Sequence, residues 1–144
     1  MAEDLSVFND LRQSIVDKII NNCTTIDYAY FGEKSQFLGS PTAIVGVSPN
    51  EALYNSSKMD RMTFVFQIRL YIPLTQDSDE DEVETRMGQA YWEVLRLFSS
   101  RSALSGFADF VEPIPSSWAW VTIGSGICRV AEINVRCVVF LSHS

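Results

Sequence analysis

Over residues 4 to 22, apolar side chains recur at spacings of three and four. Leu5, Phe8, Leu11, Ile15, Ile19 and Ile20 form one stripe, the period of an amphipathic helix. Asn21, Asn22 and the Thr24-Thr25 pair weaken helix propensity and predict its stop. A second stripe, Val83, Met87, Ala90, Tyr91, Val94, Leu95 and Phe98, predicts a helix from about 79 to 99. Ser78 followed by Asp81 matches a capping box at its start. Acidic residues there, and Arg96 and Arg101 near the other end, suit the helix dipole.

The period changes to two in Met62–Ile72. Phe64, Phe66, Ile68, Leu70 and Ile72 fall on one face, and Thr63, Val65, Gln67, Arg69 and Tyr71 on the other. Pro73, which lacks an N–H for the ladder, ends this strand. Ile127–Leu141 repeats the pattern, with Ile133, Val135, Cys137, Val139 and Leu141 on one face. Shorter strands are predicted around Tyr28 and Tyr30, over Thr42–Val47 and over Trp118–Ile123. Glu51–Tyr54 is read as the first arm of a hairpin. Residues 103–117, with Gly106 and Pro113-Ile114-Pro115, are read as loop, and Gly124-Ser125-Gly126 as a turn. The order helix, strands, helix, strands predicts an α+β fold. Its antiparallel sheet carries an N-terminal helix and a second, central helix on one face. No repeat or linker divides the chain, so 1–144 reads as one domain.

Composition narrows the function. The chain has 144 residues, 47% of them hydrophobic, with nine Phe, five Tyr and three Trp. That is more aromatic surface than a small core hides, so part of it is expected to face a partner. The formal net charge of −7 disfavours gripping nucleic acid through phosphates and disfavours anionic membrane surfaces. No apolar run approaches the ~20 residues of a membrane helix. The acidic start lacks the apolar stretch of a signal peptide. Cys23, Cys128 and Cys137 are odd in number and form no CxxC pair. They read as reduced, buried thiols of a soluble protein made in a reducing cytoplasm.

Candidate chemistry is sparse. His143, the only histidine, is next to the last residue and would be a poorly held base. Cys128 and Cys137 have no second pair or neighbouring His for a metal. Asp77, Asp79, Glu80, Asp81, Glu82 and Glu84 could ligate a cation, but they lack the turn glycine of an EF-hand. Their plainer reading is a solvated helix start. Gly124-Ser125-Gly126 lacks the lysine of a phosphate loop. The expectation is therefore no enzyme, no catalytic residue, no cofactor and no metal. Trp118 and Trp120 share a strand face and serve either a partner contact or core packing. The polar tip Tyr54, Asn55, Ser56, Ser57, Lys58, Met59, Asp60 and Arg61 is longer than a two-residue turn needs and is a candidate subunit contact.

The whole pattern resembles the tail terminator proteins of long-tailed bacteriophages. The resemblance is carried by the opening helix, the SPTAIVGV run (40–47), the polar-tipped hairpin and the strand MTFVFQIRLYIPL (62–74). The acidic-headed helix EDEVETRMGQAYWEVLRLF (80–98), the ALSGF loop (103–107) and the final strand RVAEINVRCVVFL (129–141) complete it. The SSWAWVTIGSG segment (116–126) has no place in that pattern. The resemblance implies a structural virion subunit, made in the host cytoplasm and resident in the tail or neck. It implies a ring, expected as a hexamer, that caps the tail tube protein and docks to head connector or neck proteins. Sequence-specific nucleic-acid binding and membrane binding are not implied. In such a ring, residues 77–84 would add to a negative surface near the channel. The alternatives are a neck or head–tail joining protein and, in another class, a small-ligand-binding α+β domain.

Overall fold

A computed structural model gives the architecture, describing residues 2–32, 40–47, 61–75, 78–100, 102–104, 106–123 and 126–140, with the side chains of 2–6, 61, 62 and 123 excepted. In chain order the elements are α1 (Ala2–Asn22), β1 (Tyr28–Phe31), β2 (Thr42–Val47), β3 (Arg61–Pro73), α2 (Glu80–Phe98), β4 (Phe110–Ile123) and β5 (Gly126–Phe140). The five strands form one sheet in the order β1-β2-β3-β5-β4.

The two strands with the cleanest alternation are neighbours at its centre. β3 and β5 pair antiparallel along their length, with Phe66 opposite Val135 and Ile68 opposite Ile133. Their shared apolar face is covered by both helices. Leu11, Ile15 and Ile19 of α1 and Val83, Met87, Ala90, Val94 and Phe98 of α2 are buried against Phe64, Phe66, Ile68, Leu70 and Ile72. This is the α+β arrangement expected from the sequence, with both helices on one face.

Four details differ from expectation. First, the β2-β3-β5-β4 strands are antiparallel, but β1 adds to β2 in parallel, Tyr28 opposite Thr42 and Phe31 opposite Val45. Side-chain alternation has the same period in parallel and antiparallel strands, so the pattern of β1 does not state its direction. Second, β4 begins at Phe110 and runs through Pro113 and Pro115, where the sequence pattern predicts loop. It is an edge strand, where an outward-facing position needs no N–H. Third, the cap of α2 is Asp79, whose carboxylate accepts from the Glu82 N–H at 2.8 Å. Ser78 instead closes the preceding turn, accepting from the Thr75 N–H at 3.0 Å. A charged acceptor suits the positive end of the helix better than a hydroxyl. Fourth, Ile20 is 39% exposed and Val16 is buried in its place. One residue past Ile19 rotates a helical side chain by about 100°, off the buried stripe. The predicted arm Glu51–Tyr54, the turn at 124–125, Arg101 and Leu141 lie outside the described residues.

The second face of the sheet carries no described helix. Ile44, Tyr71, Cys128 and Val130, with Val121 against them, form a small apolar cluster there. Beside it, Glu132 pairs with Arg69 directly across the ladder at 3.3 Å. The same carboxylate accepts from Gln67 and from Ser117. Ser117 reaches it because the ladder slips between Pro115 and Trp118, a bulge that inserts one extra residue into β4.

Candidate functional site

The bulge decides which way the tryptophans point. Pro115 is opposite Ile133 and Trp118 is opposite Ala131, so both belong to the helix-covered face despite their odd separation in sequence. Trp120, opposite Arg129, follows on the same side. Trp118 meets Tyr91 of α2, with ring centroids 4.9 Å apart. The Arg129 guanidinium sits 5.4 Å from the Trp118 ring centroid and 5.3 Å from that of Trp120. Its charge is met by Glu84 of α2. The contact is one of charge, because Arg129 Nε is buried without an aligned hydrogen-bond acceptor.

The tryptophan pair is packed on one side and open on the other. One side of each indole packs on the Tyr91–Arg129 cluster, and each residue stays 37–38% exposed. Trp92 of α2 is 60% exposed, and Ile127 of β5 is 46% exposed. Aromatic side chains held rigidly on one side and open on the other have the chemistry of interface anchors.

Arg129 was missed by sequence reasoning, although a signal existed. It lies two residues before Ala131 and four before Ile133, on the apolar parity of β5. A cation on the apolar face of a strand needs a partner and cover. Here Glu84 supplies the partner and the indoles supply the cover.

The acidic segment is divided in role. Asp79 caps the helix, Glu80, Asp81 and Glu82 are exposed in its first turn, and Glu84 pairs with Arg129. Asp77 lies outside the described residues. Asp79, Asp81, Glu82, Thr85 and Arg86 line only an open hollow. Among the described residues no three His, Cys, Asp or Glu side chains are grouped to hold a metal. The hairpin tip Tyr54–Asp60 and His143 also lie outside the described residues. The backbone of Arg61 pairs with Phe140.

The cysteines and Glu93 are held by burial and hydrogen bonds. All three cysteines are free and buried. Burial pushes the Cys137 thiol up to about 12, raises Cys128, and together with the charge of Glu93 takes Cys23 to about 12. Such thiols are poor nucleophiles. Glu93 accepts from the N–H and hydroxyl groups of Thr24 and Thr25, fastening the end of α1 to α2. Among the described residues, no helix is long and apolar enough to cross a membrane. No protein-family model matches the chain, and no curated protein does so either.

Proposed function

We propose that this chain is a structural virion subunit, a tail terminator that closes into a ring on the tail tube and presents a surface to the head connector. The observation that carries the reading is the exposed aromatic edge at Trp118 and Trp120. A monomer gains nothing from open indoles, whereas a ring buries the same patch once per subunit. The α+β fold, with two helices on one face of the sheet, is compatible with the resemblance in the sequence. The exposed Glu80, Asp81 and Glu82 would add a negative wall that repels passing DNA if they face the channel.

The test is assembly. Purified chain, alone and with isolated tail tubes, is examined by light scattering after size exclusion and by negative-stain imaging. Rings or capped tubes that are lost in Trp120→Ser, with the melting transition retained, support the reading. A chain that stays monomeric at all concentrations and leaves tubes uncapped removes it.

A further inference from the structure

Helix α1 leaves a half-enclosed cavity of about 190 Å³ over the β1–β2 end of the sheet, lined mainly by Phe8, Arg12, Phe31, Val45, Val47 and Phe66. Phe8 stacks on Phe66 with centroids 5.5 Å apart. The Arg12 guanidinium lies 4.6 Å from the Phe31 ring centroid and 5.4 Å from that of Phe8. Two phenyl faces thus fix its position. Among the described residues no carboxylate pairs with it.

A fixed cation beside an apolar hollow is complementary to a group that is apolar at one end and anionic at the other. A cavity of roughly 150 Å³ holds a benzene, so this one accommodates a phenyl ring and a few further atoms. The guanidinium offers paired donors suited to a carboxylate. Gly32 and Gly46 also line the cavity, and among the described residues nothing lies within 4 Å of where a Cβ would stand on either. Another backbone can therefore approach there. Gly32 has φ +65 and its N–H is held by the Val45 carbonyl at 3.0 Å, so the rim is fixed.

The geometry points to a docking site for a partner polypeptide that presents an aromatic residue next to an acidic one, the ring entering the cavity and the carboxylate meeting Arg12. A free small molecule fits less well, because such sites enclose most of their ligand, whereas this cavity is half open and takes one ring. A single side chain seated in a rigid pocket is how interface anchors are built. The charge argument is local. A chain of net charge −7 repels an acidic partner broadly, so a fixed cation such as Arg12 decides where that partner lands. The inference is independent of ring formation.

Amide NMR on the full chain tests it with three probes: acetyl-Phe-Asp-amide, acetyl-Phe-Lys-amide and 3-phenylpropionate. The Phe-Asp probe is expected to shift the Gly32 and Gly46 amides saturably. The Phe-Lys probe is expected to bind about tenfold more weakly, the scale of one charge-assisted contact. Arg12→Gln should weaken the Phe-Asp probe by a similar factor while keeping the cooperative melting transition, and Arg12→Lys should recover part of it. Equal binding of the two dipeptides, or no shift with any probe, overturns the site. Binding of 3-phenylpropionate tenfold tighter than the Phe-Asp probe makes it a small-molecule pocket instead. Gly32 and Gly46 shifts that follow protein concentration without a probe assign the cavity to a second copy of the chain, and overturn the partner proposed here.

Discussion

Arg129 and Glu84 join the last strand of the sheet to the opening turns of α2, with the guanidinium lying beside two indoles. The Arg129 side chain is 15% exposed and that of Glu84 43%, so the pair is half-screened by solvent. Glu84→Gln is expected to cost about 0.5–1 kcal/mol, discounted for that exposure. Arg129→Ala, which also removes packing against Trp118 and Trp120, should cost about 1–3 kcal/mol. Urea titrations at low and high salt check this. The Glu84→Gln effect should shrink with salt, while the packing part of Arg129→Ala persists. A salt-independent Glu84→Gln effect would contradict the charge contact.

The sheet core makes a sharper contrast. Phe66 is 1% exposed at the centre of the helix-covered face, and Phe140 is 60% exposed at the end of β5. Phe66→Ala is expected to cost about 3–5 kcal/mol through lost burial and a cavity. Phe140→Ala should stay within about 0.5 kcal/mol. Equal shifts in the urea midpoint would mean that the buried face has been assigned wrongly.

These core positions were legible because alternation in β3 and β5 and the three-and-four stripes of both helices state which face is buried. Periodicity was silent where another force decided. β4 contains two prolines, which in isolation read as loop. Only its place at the sheet edge makes them tolerable, and edge position is a tertiary fact. The Tyr91–Trp118–Arg129–Glu84 cluster brings together residues far apart in sequence, through a bulge that no local pattern announces. The Arg12 cavity depends on how far α1 sits over β1, and side-chain identity alone does not set that distance.

Glu93 gives a pH dependence. Partial burial raises its pKa, but hydrogen bonds from Thr25 and Thr24 outweigh that and hold it below its ordinary value of 4.5. A depressed folded-state value means that the ionised carboxylate stabilises the fold at pH above 4.5. That contribution fades as pH falls through the lower, folded value. Thr24 and Thr25 would then loosen from α2. Glu93→Gln is expected to be less stable than the parent at pH 7, with the gap closing below pH 4.5. A gap that is constant with pH would show that packing, and not ionisation, is at work there. Melting curves between neutral and acid pH measure it.

The thiols report opening of the core. Cys137 is fully buried between β3 and β4, and Cys23 and Cys128 are buried elsewhere. With two of them pushed up to about 12 and the third raised, none is a thiolate at pH 8. Ellman's reagent on native protein is expected to react slowly, with all three thiols released together as urea passes the unfolding midpoint. Rapid reaction of one thiol in buffer would show that its element opens locally.

The outer edge of β4 yields the last prediction. An edge strand exposes backbone donors and acceptors to any passing strand. Pro113 and Pro115 stand opposite Val135 and Ile133, and an intact ladder on β5 requires that their nitrogens face outward. Two donors are thereby missing from the outer rim of the first half of β4. The half beyond the bulge, Trp118–Ile123, contains no proline. A partner strand is therefore blocked from one half of the edge and admitted to the half that carries the exposed indoles. Replacing both prolines, Pro113→Thr with Pro115→Thr, restores the donors at positions suited to β-branched residues. The fold should change in stability by less than about 1 kcal/mol, because the core contacts stay in place and proline's entropic advantage is small. Self-association should rise, with light scattering of the concentrated protein increasing over hours while the parent remains clear. Adding Lys at Ile114, an exposed position between the two, should reverse it by charging the rim. A double variant that is strongly destabilised and shows no added association would mean that the prolines fix the conformation of β4 and do not guard its edge.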